Sequence, residues 1–202
     1  RYALGLRHPG VPVPGPSLLT RATTRTIRWP GGSARLGPWR GQSDVASVTV
    51  TASRAPSAEL VDQGLDWLRS AGYSSVVTNA LPPGDALAFV DAGFSTREQL
   101  HLLAHDLERI PTTTRRTRRA RRRAFPAILE LDNRCFDGFW HFDATGMWDA
   151  VNATPHHRFR VGTDHRQVAA YAITGRAGSQ GYIQRIGVDP DLRRSGWGTA
   201  LI

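Results

Sequence analysis

Gly181-Tyr-Ile-Gln-Arg-Ile-Gly-Val-Asp-Pro-Asp-Leu-Arg-Arg-Ser-Gly-Trp-Gly-Thr-Ala-Leu-Ile202 is the stretch that decides the fold. From Tyr182 to Val188 a period of two predicts a strand with Tyr182, Gln184, Ile186 and Val188 on one face. Asp189-Pro190 ends it, because proline cannot donate to a sheet ladder. Arg193-Arg194-Ser195-Gly196-Trp197-Gly198 then leads into the helix-compatible Thr199–Ile202. Two glycines beside small polar residues let main-chain N–H groups converge at a helix N-terminus, an arrangement suited to phosphate. The alternative is a glycine-rich turn that only joins strand to helix.

A P-loop is excluded, since no Gly-Lys-Ser/Thr closes the stretch. A dinucleotide fingerprint is excluded because its third glycine would fall at Leu201. The stretch resembles the Q/R-x-x-G-x-G/A pyrophosphate loop of the GNAT superfamily of N-acetyltransferases, with Arg193, Gly196 and Gly198 at its first, fourth and sixth positions. The resemblance implies acetyl-CoA as co-substrate and no metal. Ile186, Gly187 and Val188 would hold the pantetheine through their backbone. Arg193, Arg194, Ser195, Gly196, Trp197, Gly198 and Thr199 would hold the pyrophosphate. Many members carry a glutamate base on the strand before the loop; here Tyr182 and Gln184 stand there, so no catalytic residue is assigned.

The 202 residues suffice for one large or two small domains, and 40% hydrophobic with 21% charged side chains describes a globular protein. No apolar run reaches membrane-spanning length and no signal pattern opens the chain. Cys135 is the only cysteine, which excludes an internal disulfide and makes a reducing cytoplasm the expected compartment.

Residues 1–20 are rich in Pro and Gly and predict an irregular arm. A hairpin is expected around Pro30-Gly31-Gly32, a strand at Ala46–Thr51, and a helix from Pro56-Ser57 to Gly72 with Val61, Leu65 and Leu68 in a stripe. A strand at Tyr73–Thr78, a helix at Ala86–Ala92 and a last strand at Glu98–Ala104 follow. This order, with Phe89-Val-Asp-Ala-Gly-Phe94, resembles the second half of a GNAT domain. Ser53–Ala58 lacks the glycines of the loop, so residues 1–110 are expected to be a degenerate structural repeat.

Seven arginines fill nine positions from Arg115 to Arg123. They predict either a solvated linker leading into the first strand of the second repeat, or a patch for RNA or another acidic partner. A third option sets some of them beside the cofactor's phosphates. The run itself interleaves no aromatic residue.

In residues 111–202, Pro126 opens a helix with Ile128, Leu131 and Cys135 on one face. Pro-Ala-Ile-Leu-Glu-Leu-Asp, ahead of Cys135-Phe136, resembles the GNAT opening. In that family the next loop lines the acceptor pocket, which makes Phe139, Trp140 and His141 acceptor-site candidates beside Tyr182 and Gln184; an aromatic plug over the core is the alternative. Cys135 reads as a small buried hydrophobe. A short helix at Met147–Val151 precedes strands at His157–Val161 and Val168–Thr174 joined by a Gly162–His165 turn. His156-His157 point to opposite faces of a strand and predict no metal site.

The expectation is an α+β protein with a mixed sheet, a tandem GNAT-like acyl-CoA N-acyltransferase fold whose second repeat is incomplete. The chain reads as part of a longer protein, and the tandem arrangement resembles mycothiol synthase-like actinobacterial acetyltransferases. The implied activity is acetyl transfer to an amine of a small molecule or peptide, without a membrane partner and with a homodimer left open. The competing function is an inactive GNAT-shaped module that docks RNA or another acidic partner through Arg115–Arg123.

Overall fold

The computed structural model describes residues 2–9, 24–40 and 42–202, and the chain divides into two compact units, Arg1–Asp106 and Leu107–Ile202. The architecture is mixed α+β, with one sheet in each unit. No described helix is long and apolar enough to cross a membrane.

The first unit is built on β1 (Tyr2–Pro9), β2 (Arg25–Trp29), β3 (Gly32–Trp39), β4 (Gln42–Ala52), β5 (Ser75–Thr78) and β6 (Ser95–His101). They lie in the order β2-β3-β4-β5-β1-β6. Helix α1 (Ala58–Ser70) makes the crossover that leaves β4 and β5 parallel. Glu59 in its first turn and Arg69 in its last complement the helix dipole. Gly72 stops it at φ +86°, where Gly72 N–H reaches Arg69 O and Tyr73 N–H reaches Leu68 O, the paired bonds of a Schellman motif. Helix α2 (Leu87–Asp91) ends the same way at Gly93, and the Phe89 and Phe94 rings meet edge-on at 5.3 Å across that stop. Leu36, Val48, Val61, Leu65, Leu68 and Phe89 fill the core under these helices.

The expected irregular arm is corrected over Tyr2–Pro9, which forms β1. Arg7 pairs with Val77 on one side and with Ser95 on the other. Ladder bonds to two neighbours supply order that residue composition does not advertise. The rest of that expected arm, residues 10–20, lies outside the described residues.

The second unit contains β7 (Thr117–Arg119), α3 (Phe125–Cys135), α4 (Ala144–Asn152), β8 (His156–Asp164), β9 (Gln167–Ala177), β10 (Gln180–Val188) and α5 (Trp197–Leu201). The strands are antiparallel in the order β10-β9-β8-β7. Ile128 and Leu131 of α3 and Met147 and Val151 of α4 bury against Val161, Tyr171 and Ile173 on one face of the sheet. Each such aliphatic side chain contributes about 1.5–3 kcal/mol. On the other face Trp197 and Leu201 of α5 cover Ala170 and Ala172.

The β8–β9 turn sits later than expected. Strand β8 continues through Gly162 to Asp164, and His165 and Arg166 make the turn at φ +44° and +69°. Gly162 is a glycine for space, since a Cβ there would lie 2.5 Å from Trp197 Cζ3.

Candidate functional site

Strand β10 carries a bulge. Its register against β9 shifts between Ile183, opposite Thr174, and Arg185, opposite Ile173, so Gln184 is the extra residue. One extra residue exchanges the faces of everything before it. Tyr182 therefore shares the α3/α4 side with Arg185 and Gly187, while Ile183 falls with Ile186 and Val188. The expectation that Tyr182, Gln184, Ile186 and Val188 line one face is corrected accordingly. Strand β10 ends the sheet order, so its outer edge is unpaired among the described residues.

Behind that strand lies a buried ionic cluster. Asp132 of α3 is fully buried and Arg185 is 9% exposed. Arg185 Nε donates to Asp132 Oδ1 at 2.8 Å and Nη2 to Oδ2 at 2.9 Å. Tyr171 OH donates to Asp132 Oδ1, and Phe142 N–H donates to Oδ2 at 2.8 Å. The Arg185 guanidinium also lies over the Phe136 and Phe142 rings, 3.4 and 4.1 Å from their centroids, and donates to Trp140 O. Burial pushes the Tyr171 hydroxyl well above its ordinary 10.0, and its bond to Asp132 adds to the shift.

This cluster shapes the loop of acceptor-site candidates. Phe139, Trp140 and His141 are half-buried. The Phe139 and Trp140 rings meet edge-on at 5.1 Å, and His141 Nε2 lies 2.9 Å from Phe136 O. Tyr182 is 43% exposed and its hydroxyl donates to Gln180 Oε1. Gly187 is buried; a Cβ there would lie 2.6 Å from Tyr171 Cε1 and 3.2 Å from Cys135 Sγ. Cys135 donates its S–H to Val188 O at 3.2 Å, and burial pushes its thiol above the ordinary value.

The loop beyond β10 starts at Asp189, whose Oδ1 accepts from Asp191 N–H and whose Oδ2 accepts from Arg134 at 2.6 Å. Arg193 and Arg194 are exposed. Arg194 at φ +58° and Gly196 at φ +86° curl the chain into the first turn of α5. Among the described residues, the N–H groups of Ser195, Gly196, Trp197 and Gly198 find no hydrogen-bond acceptor. A Cβ at Gly198 would meet nothing nearer than Val188 Cγ2 at 4.0 Å, so a ligand can approach the main chain there. The residues present thus fit a diphosphate held by backbone donors. Trp197 can contribute only its backbone, because its indole is packed over Gly162 and is 3% exposed.

Arg115 holds this loop from 80 positions upstream. Its Nε donates to Ser195 O at 3.1 Å, its guanidinium stacks 4.7 Å from the Trp197 ring centroid, and Asp164 lies 3.7 Å away. Asp132, Arg185, Arg115 and Arg134 are the supporting residues that sequence spacing missed. Each acts on a partner remote in sequence, and no local pattern marks such a pair. No group of three His, Cys, Asp or Glu side chains among the described residues is placed to hold a metal ion.

No curated protein matches the chain. Among solved structures, the ribosomal-protein-S18-alanine N-acetyltransferase from Escherichia coli is similar at 26% identity and a TM-score of 0.35, over 42% of this chain and 52% of its own length. The chain therefore spans about half the length of that structure. Residues 125–202, which hold α3, the bulged strand and the glycine loop, match the model of the acetyltransferase (GNAT) family.

Proposed function

We propose that residues 107–202 bind acetyl-CoA and serve an N-acetyltransferase that acts on an amine of a small molecule or peptide. The observation that carries this reading is the row of acceptor-free N–H groups from Ser195 to Gly198, directly after an edge strand, inside the segment that matches the family model. Bound acetyl-CoA would supply the thioester carbonyl that an amine attacks. The chain's own residues divide the remaining work. The main chain of residues 195–198 takes the diphosphate, with Arg193 and Arg194 adding charge at the rim. The open edge of Ile186–Val188 offers backbone partners to the pantetheine arm. Cys135 keeps its proton, so it stays out of competition with the amine as a nucleophile. The β4–α1–β5 crossover supports reading the first unit as a degenerate repeat, and Ser53–Ala58 lacks the glycines a diphosphate needs.

Titration calorimetry with acetyl-CoA tests the reading. Gly198→Glu places a carboxylate in open space at the loop, so it leaves the fold intact and should weaken binding at least tenfold. Unchanged affinity in that variant, or no binding by the native chain, overturns it.

A further inference from the structure

The second unit carries sixteen arginines against nine acidic side chains, and their placement points to an activity separate from acyl transfer. Of the seven arginines in the run, Arg115 is committed to the loop. The other six, Arg116, Arg118, Arg119, Arg121, Arg122 and Arg123, are exposed, and their side chains make no ion pair or hydrogen bond among the described residues. Strand β7, with Arg118 and Arg119, ends the sheet order, so its outer edge is unpaired among the described residues, and Arg121, Arg122 and Arg123 follow it into a short 3-10 turn. The neighbouring strand adds to this charge. Arg119 stands directly opposite Arg160, and exposed Arg158 lies two residues further on. Like charges directly opposite one another destabilise a ladder. Arg160 is turned into Thr117, with Nε 2.8 Å from Oγ1 and Nη2 2.6 Å from the carbonyl, and Arg119 is left without a counter-charge. Such an arrangement is relieved by a polyanion.

The aromatic component missing from the run is supplied by the fold. Phe125 directly follows Arg122–Ala124, and its ring lies 5.0 Å from that of Trp148 on α4. Phe159 backs Phe125 at 5.3 Å, so the pair is rigid, while Trp148 itself is 39% exposed. At the other end of the run, an open cleft of about 420 Å³ is lined by Thr114, Arg115, Arg116, Thr117, Arg118 and Trp197, offering hydroxyls and guanidinium groups together.

We propose that the Arg116–Arg123 edge and Trp148 bind a single-stranded nucleic acid, the arginines taking phosphates and the indole stacking on a base. An acidic peptide would use the charge but not the exposed, backed indole, which favours the nucleic acid. The proposal does not rest on the acyl-transfer reading, and the residues it substitutes lie outside the 193–199 loop.

Fluorescence anisotropy of a labelled oligothymidylate or oligouridylate of about 12 nucleotides, titrated with the full chain, tests it. Binding is expected to weaken between about 50 and 200 mM salt, with a log–log slope of roughly −0.7 per phosphate engaged. Arg119→Ala combined with Arg121→Ala and Arg122→Ala should flatten that slope by about 2. Trp148→Ala should weaken binding about 5- to 150-fold with the slope unchanged, and Trp148→Phe should restore most of the loss. No binding in that salt range overturns the proposal. So does polyglutamate competing as well as the oligonucleotide, or a Trp148→Ala variant of native melting temperature and native affinity.

Discussion

Asp132 on α3 and Arg185 on β10, 53 residues apart, face each other through two parallel hydrogen bonds in a buried setting. Asp132 also accepts from Tyr171 OH and from Phe142 N–H, so its carboxylate takes four hydrogen bonds in all. Arg185→Met strands a carboxylate in the core and is expected to cost about 3–5 kcal/mol by urea denaturation. Adding Asp132→Leu to Arg185→Met should recover part of that loss. A single variant as stable as the native chain would contradict the coupling.

Tyr171→Phe removes one donor to Asp132 and should cost about 1.5–3 kcal/mol, the range for a hydrogen bond to a charged group. Because folding raises the tyrosine pKa, the folded state keeps a proton that the unfolded chain releases. The associated stability is whole below pH 10.0 and falls as pH rises beyond it. Denaturation midpoints between about pH 9 and 11 should drop less steeply in Tyr171→Phe than in the native chain.

Cys135 is half-buried with its S–H on Val188 O, and desolvation raises its pKa above the ordinary 9.0. Its alkylation by iodoacetamide at pH 8 should be slower than that of a free thiol peptide, and the rate should keep rising past pH 9.0. Native-like reactivity of a small peptide thiol at pH 8 would show the site to be open.

Gly162→Ala drives a Cβ to within 2.5 Å of the Trp197 ring, a contact with the rigid part of an indole. Overpacking of this kind costs about 1–3 kcal/mol. Since Trp197 begins α5, the same substitution should weaken acetyl-CoA binding along with the melting temperature. A destabilised variant with full affinity would uncouple the indole from the loop.

Arg119→Thr should raise the melting temperature, because it removes the charge opposite Arg160 while keeping a good strand former in β7. It should weaken oligonucleotide binding at the same time. Opposite signs for stability and affinity would identify Arg119 as a residue kept for its partner.

Local chemistry made much of the fold legible. Gly72 and Gly93 mark the stops of α1 and α2, and Asp189-Pro190 marks the end of β10, because each enforces a backbone state on its own. The pairing of β1 was hidden, since Tyr2–Pro9 is ordered by ladder bonds to β5 and β6. The bulge at Gln184 was hidden too: alternation assumes an unbroken ladder, and Gln184 differs in no way from a paired residue. The turn at His165-Arg166 carries no glycine to mark it, and Gly162, whose residue type suggests a turn, serves the Trp197 ring instead. Around the loop, the donors could be read from two glycines, whereas the residues that hold it could not.

Arg115 sits first in a row of seven identical side chains, yet its bond to Ser195 O makes it a strut of the loop. Neutralising the row as a single block would remove a clamp and a charged surface together, and a loss of acetyl-CoA affinity in such a variant would say nothing about polyanions. The two properties can be separated only by cutting between positions 115 and 116.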